Sequence, residues 1–455
     1  MPSPSAQAPV RYSDAVRAWL PLAASWLCMG LELPLVSAVV ARLPDPKIGL
    51  AAYGGVVFPL ALLIESPVIM LLSASTALSR DERSYRVGRR VMMALGIGFT
   101  ALHALVAYTP LYDLLARRIM GVPEDIIEPA RLGLRIMTPW TLSIAYRRFQ
   151  QGVLIRFGRP REVSIGTAIR LGTNATVLAI GAAMHTWPGI VVGTSAVTVG
   201  VMAEAVYAGI RVRSTRFGAV RAVAPSATPL TTRRFVQFYI PLMVTPLILF
   251  LAQPISSAAI SRMPRALDSL ATWPVVMGLI FTLRSSGFAL NEVVVALLDR
   301  PHAWPAVRRL AMTIAAVTST TLLLLAATPL SGLWFGHVSA LPAPLVALGV
   351  GALWFGILVP ALSAGQSLYQ GALVHSHKTQ GVSESMVAYL LVTVATLVVG
   401  IAWGQFPGLN VAVAATALGS IAQVAWLRVR ARDAIRALRA ADRGGAGTES
   451  AAVVA

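Results

Sequence analysis

The sequence predicts an all-α polytopic membrane protein of about twelve transmembrane helices, arranged as two parallel six-helix repeats. Three observations carry that prediction. Apolar runs of about 18 residues or more, long enough to span a bilayer as helices, recur along a 455-residue chain that is 56% hydrophobic and only 13% charged. Basic residues alternate from one connection to the next. The second half of the chain also repeats the first at an offset of about 220 residues.

The apolar runs place spans at 18–42, 51–78, 90–112, 130–155, 162–185, 188–210, 235–261, 271–298, 308–330, 344–372, 383–404 and 408–428. The fourth and tenth are long enough to extend past the bilayer. The amino-terminal tail, the carboxy-terminal tail and every second connection hold 26 Lys and Arg between them, whereas the intervening connections hold 6. Cytoplasmic loops are the ones enriched in Lys and Arg, so both termini are expected in the cytoplasm. Nearly all the cations are arginine, Lys47 and Lys378 being the exceptions, a bias that fits a GC-rich bacterial genome and hence a bacterial inner membrane. Topology accounts for most of the net charge of +19, and no nucleic-acid partner is expected. Cys28 stands alone, which excludes an internal disulfide. The first residues lack the pattern of a cleaved signal peptide, so the first helix is expected to act as the insertion signal.

The basic linker 211–234, the longest cytoplasmic connection, divides an amino-terminal six-helix lobe (1–210) from a carboxy-terminal one (235–430). A polar, then Gly- and Ala-rich tail (431–455) follows and is expected to be mobile. The repeat supports this division. At an offset of 220, SAVVARLP (37–44) meets SAAISRMP (257–264), Pro34 meets Pro254, Tyr53 meets Trp273, Val87 meets Val307 and Met92 meets Met312. At 219, TPL (109–111) meets TPL (328–330) and QGVLI (151–155) meets QGALV (370–374). Six helices separate equivalent points, so the halves run in the same direction, about an axis along the membrane normal with a cleft between them.

Six arginines lie inside spans, where topology does not account for them: Arg131, Arg135, Arg147, Arg148, Arg170 and Arg284. A charge at mid-span costs about 2.5–3.5 kcal/mol on insertion scales and marks a functional site by default. Arg284, in FTLRSSGF (281–288), and Glu65, in LLIESPVI (62–69), lie at mid-span in repeat-equivalent helices, one residue out of register at an offset of 220. Together they read as a gate over a substrate site, or as an ion pair that only fixes packing. Arg284, Arg147, Arg170, Asn174 and Asn291 are the candidate anion ligands, because a guanidinium suits carboxylate and phosphate. Arg147 or its neighbour Arg148 could instead reach the interface. Glu32 and Glu292 are candidates for proton or cation coupling, since a desolvated carboxylate can carry a proton. Pro34 and Pro254 are candidate hinges: each removes a backbone hydrogen bond. Glu204 reads as a local helix partner and His103 as a packed, hydrogen-bonded residue.

No phosphate loop, metal-spaced His/Cys cluster or Ser-His-Asp set is present in the sequence. Neither an enzyme nor a metal or other cofactor is expected, and transport without an ATPase would run on a gradient of substrate, H+ or Na+.

Two parallel six-helix halves with FQQGVLIRFGR (149–159) after the fourth span resemble the MOP superfamily, which holds the MATE exporters and the lipid-linked sugar flippases. GLELPLVSAVVARLPDPKIGLAAYG (30–54), LHALVAYTPLYDLL (102–115), QGVLIRFGR (151–159), ATWPV (271–275) and LNE (290–292) look like segments of the progressive ankylosis family. That resemblance implies export of a small organic or phosphate-containing anion such as citrate, pyrophosphate or a nucleotide-like molecule. It does not cover Arg284, because the spacing inside the eighth span differs from the family pattern. The residues and the resemblance together read as a secondary transporter, expected to act as a monomer in the bilayer, that moves a small anion by alternating access. A flippase for a lipid-linked anion, a MATE-like drug or cation exporter and a non-transporting membrane sensor are the alternatives.

Overall fold

The computed structural model describes residues 9–224, 229–376, 378 and 380–440; within these every regular element is helical. The helices are α1 (Tyr12–Val40), α2 (Pro46–Leu78), α3 (Glu82–Tyr108), α4 (in two pieces, Ile127–Ile136 and Thr138–Arg156), α5 (Pro160–Met184), α6 (Gly189–Val220), α7 (Thr232–Ile260), α8 (Ala266–Leu297), α9 (Ala303–Ala327), α10 (Ala343–His375), α11 (Gln380–Trp403) and α12 (Gly408–Arg430). Eleven of them are long and apolar enough to cross a membrane; α4 is not among them. The reason lies in its sequence, where Arg131, Arg135, Arg147, Arg148, Gln150 and Gln151 dilute the apolar run. The expected span at 130–155 is therefore helical but polar.

Charged connections are shorter than the sequence suggests. Arg83, Arg86, Arg89 and Arg90 already lie in α3, where Asp81 caps the first turn by accepting from the Ser84 amide (2.7 Å). Residues 211–222 of the linker are helical, and 225–228 lie outside the described residues. In the tail, residues 432–440 are helical, and 441–455 lie outside the described residues.

Contacts gather the chain into two compact units. The amino-terminal unit is Leu35–Pro274 with Ser339–Leu341, and the carboxy-terminal unit is Met1–Pro34, Val275–Val338 and Pro342–Ala455. Most of α1 is thus grouped with carboxy-terminal helices, and α7 with amino-terminal ones. The lobes drawn from the repeat, 1–210 and 235–430, divide the chain differently. Helices α1 and α7 are repeat equivalents, so the difference itself follows the repeat.

The backbone carries the repeat more sharply than the side chains do. Left-handed residues recur in pairs: Asp45 (φ 51°) with Arg265 (φ 57°), Gly121 (64°) with Ala340 (53°), and His185 (49°) with Gly404 (65°). Non-glycine residues seldom adopt this conformation, so the turn is imposed by the fold. The segments after α3 and α9 match as well. Each opens on a Thr whose hydroxyl donates to a carbonyl one turn back (Thr109 to Leu105 and Thr328 to Leu324, both 2.6 Å), and each runs into a π-helical turn, Leu114–Ile119 and Leu333–Val338.

The offset falls from 220 to 219 at one place. Residues Ala51–Val57 form a π-helix, a wider turn that accommodates one extra residue. The equivalent stretch of α8 is uninterrupted α-helix. Beyond the π-turn the offset is 219. A Cβ at Gly152 would meet the Leu72 carbonyl oxygen and one at Gly371 the Asn291 carbonyl oxygen, and both partners are 219 apart. Buried positions of α3 and α9 pair likewise, Tyr85 with Trp304 (each 4% exposed) and Val91 with Leu310. The pairings of Val87 with Val307 and Met92 with Met312 are therefore one residue out. The correction makes Glu65 the equivalent of Arg284 itself, and not of Ser285.

Small residues set the helix spacing. At Gly152 an added Cβ would lie 1.8 Å from Ser75 Oγ and 2.3 Å from the Leu72 carbonyl oxygen. A carbonyl cannot rotate aside, so Gly152→Ala is expected to destabilise the protein by about 1–3 kcal/mol or more. Thermal unfolding in detergent measures this, and an unchanged midpoint would contradict the close approach of α2 and α4.

Candidate functional site

Two polar regions occupy mid-helix positions, one in each unit. In the amino-terminal unit, α4, α5 and α6 bring Arg147, Arg170 and Glu204 together. Helical spacing aligns the donors: Arg147 and Gln151 stand one turn apart on α4, and Thr167 and Arg170 lie on one face of α5. Glu204 is fully buried. One of its oxygens takes Arg147 at 2.5 Å and Arg170 at 3.2 Å; the other accepts from Gln151 at 2.8 Å and Thr167 at 3.4 Å. Sequence reasoning treated Glu204 as incidental. The structure puts it at the centre of the network, and the i, i+4 pair of Arg147 and Gln151 was the signal that something faced them. Asn174 is 1% exposed and packs on α6, where a Cβ at Gly200 would lie 1.6 Å from its Oδ1.

Glu65, 4% exposed, lies in the electrostatic field of Arg147, Arg148 and Arg170. The amino-terminal cluster thus holds three guanidinium groups and two carboxylates. Glu65 and Arg284 belong to different units.

The equivalents of this cluster at an offset of 219 are Arg284 for Glu65, Gln366 for Arg147, Tyr389 for Arg170, Thr393 for Asn174 and Gln423 for Glu204. The same packing recurs there, since a Cβ at Gly419 would meet Thr393 Oγ1 at 2.3 Å. The neighbourhood recurs too: Tyr389 is the electrostatic neighbour of Arg284, as Arg170 is one of Glu65. One repeat has filled the constellation with paired charges; the other has neutralised all of it except one cation.

Arg284 sits in a different setting from the other span arginines. Its guanidinium carbon lies 5.3 Å from the centre of the Phe288 ring, which also packs on Trp26 (5.6 Å) and Phe281 (5.9 Å). A cation over an aromatic face gains about 0.5–2 kcal/mol. Among the described residues of its unit no carboxylate is paired with it, and its Nε is buried without a hydrogen-bond partner. By contrast, Arg131 pairs with Asp113 and Glu128, and Arg135 donates to the Ala107 carbonyl (3.2 Å).

The neighbours of Arg284 in FTLRSSGF serve packing. Thr282 Oγ1 lies 2.9 Å from the Gly30 carbonyl oxygen, Trp19 Nε1 donates to the Ser286 carbonyl (2.9 Å), and Ser363 Oγ lies between the Pro360 (2.9 Å) and Arg284 (3.2 Å) carbonyl oxygens. A Cβ at Gly287 would meet Ser363 Oγ at 2.4 Å. The small residues let α1 and α10 approach α8 closely.

The Thr282 contact explains the first proline. Pro34 has no N–H for the carbonyl of Gly30, four residues back; α1 breaks at Leu31, and the Thr282 hydroxyl, shared with the Gly278 carbonyl (2.8 Å), lies within hydrogen-bond distance of that freed carbonyl. Pro254 lies inside the continuous helix Thr232–Ile260. The two prolines occupy equivalent positions, but only the first marks a break. Glu32 begins the helical piece after that break and is half-buried. On α8, Asn291 is half-buried with Oδ1 lacking a partner, and Glu292 is exposed. His103 is fully buried between Thr141 and the Leu134 carbonyl (3.1 and 2.9 Å). Since a carbonyl only accepts, Nε2 carries the proton. No cluster of His, Cys, Asp and Glu suited to a metal ion occurs among the described residues.

A helical architecture of this kind occurs in solved membrane-transporter structures. Its particular form is that of the MATE transporters of the MOP superfamily. An inward-facing multidrug resistance MATE family transporter superposes with a TM-score of 0.69 at 15% identity, covering 93% of this chain and 99% of that one. An outward-facing MATE structure gives 0.64 at 16% identity over 95% and 100%. A MOP superfamily transporter from Pyrococcus furiosus, described as having a binding pocket of reverse polarity that suggests a different function, gives 0.65 at 14% identity over 95% and 100%. No protein-family model matches the sequence, and no curated protein matches it.

Proposed function

We propose that this protein is a secondary transporter, not an enzyme, that moves a small anion across a bacterial inner membrane by alternating access of its two repeats. The observation that carries the reading is Arg284: a permanent cation in the middle of an apolar helix, seated on an aromatic cluster, its buried Nε without a hydrogen-bond partner among the described residues. A guanidinium placed in this way offers its fork of donors to a carboxylate or phosphate. Arg147 and Arg170 already share Glu204, which leaves them the weaker candidates. The fold accommodates pockets of opposite polarity, as the Pyrococcus neighbour is described to have. The segments that look like the progressive ankylosis family favour citrate, pyrophosphate or a nucleotide-like anion. In proteoliposomes, labelled citrate or pyrophosphate should leave the vesicles down a gradient. Flux of cationic drugs in place of any anion would favour the multidrug reading instead.

In this scheme Glu32 couples transport to H+ or Na+, for it stands beside the break in α1. Glu32→Gln is expected to remove the pH dependence of flux while leaving exchange of substrate for substrate intact. A pH profile identical to that of the parent protein would assign coupling elsewhere. Both termini are placed in the cytoplasm by the arginine distribution, and the protein acts as a monomer.

A further inference from the structure

A cluster of arginines borders a second cleft in the carboxy-terminal unit. After a turn at Ala431, residues 432–440 are helical again, and Ala431 and Ile435 are buried against a core that includes Leu427, Ala303, Trp304 and Val307. That packing fixes the opposite face. Arg428, Arg432, Arg436 and Arg439 recur at intervals of four, four and three residues, so they form one stripe along the helix. Like charges at this spacing repel. The stripe borders a cleft of about 320 Å3, closed on the other side by Arg308 and Trp304.

The cleft is rich in donors. Five guanidinium groups line it, and among the described residues the one carboxylate paired with any of them is Asp433, on Arg436 at 3.6 Å, with both side chains mostly exposed. The adjacent Arg430, which does not line the cleft, is paired: it meets Glu384 at 2.9 Å. Trp304 is 4% exposed, yet its Nε1 has no hydrogen-bond partner. An indole N–H only donates, and a buried donor without an acceptor costs about 1–3 kcal/mol. Positive-inside topology accounts for arginines at a cytoplasmic helix end. It accounts neither for five of them around one cleft nor for a buried indole donor in its wall.

We infer that this cleft binds a phosphate-bearing polyanion, with the arginines holding phosphate oxygens and Trp304 Nε1 donating a further bond. Two sources offer that chemistry: the headgroup of an anionic phospholipid in the cytoplasmic leaflet, and a soluble di- or polyphosphate. The full-length protein distinguishes them. Thermal unfolding is measured in nanodiscs of phosphatidylcholine alone, in nanodiscs containing cardiolipin, and in phosphatidylcholine nanodiscs with inorganic pyrophosphate added. Stabilisation by cardiolipin alone identifies the lipid source; stabilisation by pyrophosphate in the neutral nanodisc identifies the soluble one. In either case Arg432→Gln with Arg439→Gln should abolish the stabilisation. Trp304→Phe, which keeps the ring and removes the N–H, should weaken binding by about tenfold. The arginines are exposed, so the double variant is expected to fold, and Arg430→Gln serves as the control for loss of charge alone. No stabilisation by either probe, or an equal loss in the Arg430 control, would overturn the site.

Discussion

Glu204→Ala is expected to lower stability by about 3–5 kcal/mol, the cost of breaking a buried ion pair by removing one partner. The size follows from what is left behind. Arg147 and Arg170 lose the carboxylate they share, and Gln151 loses its acceptor, while Thr167 keeps the Val163 carbonyl (3.2 Å). All this happens at a position with no access to solvent. Glu204→Gln keeps the shape and one acceptor oxygen, so it should fall between the parent protein and the alanine variant. Thermal unfolding in detergent, followed by intrinsic fluorescence, measures both. A midpoint for Glu204→Ala within about a degree of the parent would show that the network contributes nothing to stability, and would return Arg147 and Arg170 to the list of substrate ligands. A second measurement separates the two roles. If the cluster is structural, Glu204→Gln protein that remains folded at low temperature should still transport.

Arg284→Ala is expected to lower anion flux by roughly a hundredfold or more, since loss of one member of a buried charge pair costs about 2–5 kcal/mol and each 1.4 kcal/mol is tenfold. Folding should survive. The substitution removes a cation that forms no ion pair with a carboxylate among the described residues of its unit, while the contacts through Thr282, Ser286 and Gly287 that seat α8 against α1 and α10 remain. Arg284→Lys keeps the charge but loses the planar fork and its stacking on Phe288, so partial flux is expected. The measurement is initial efflux of labelled citrate or pyrophosphate, with the unfolding midpoint taken in parallel. Unchanged flux in Arg284→Ala would remove it from the site, and a large fall in the midpoint would show that it serves packing.

The limits of the sequence can be seen at particular residues. Spans were legible because apolarity over about twenty residues is a local property, and eleven helices satisfy it. The fourth span was legible only as a helix, since the same arginines that make it interesting make it polar. The register of the repeat was misread by one residue between positions 53 and 72. Chance matches at 220 continued past the slip, while the backbone shows a π-turn holding the extra residue. Glu204 reads in sequence only as a local helix partner, because its partners lie 57, 53 and 34 residues away on other helices, and only packing brings α4, α5 and α6 to one carboxylate. Arg284 was conspicuous in sequence as a cation in an apolar run. Its aromatic seat was not, because Trp26 comes from α1 and Phe281 and Phe288 from α8.

The sequence by itself determined a polytopic helical chain, a parallel duplication and the short set of charges that topology does not account for. Each of these is written in local apolarity, in spacing or in the count of arginines along the chain. Tertiary structure decided which of those charges neutralise one another. Pairing depends on the few ångströms between side chains of different helices, and glycine contacts and one extra residue in a π-turn set those distances. By that decision Arg147 and Arg170 are joined to Glu204, and Arg284 is left as the equivalent of Glu65 with its sign reversed.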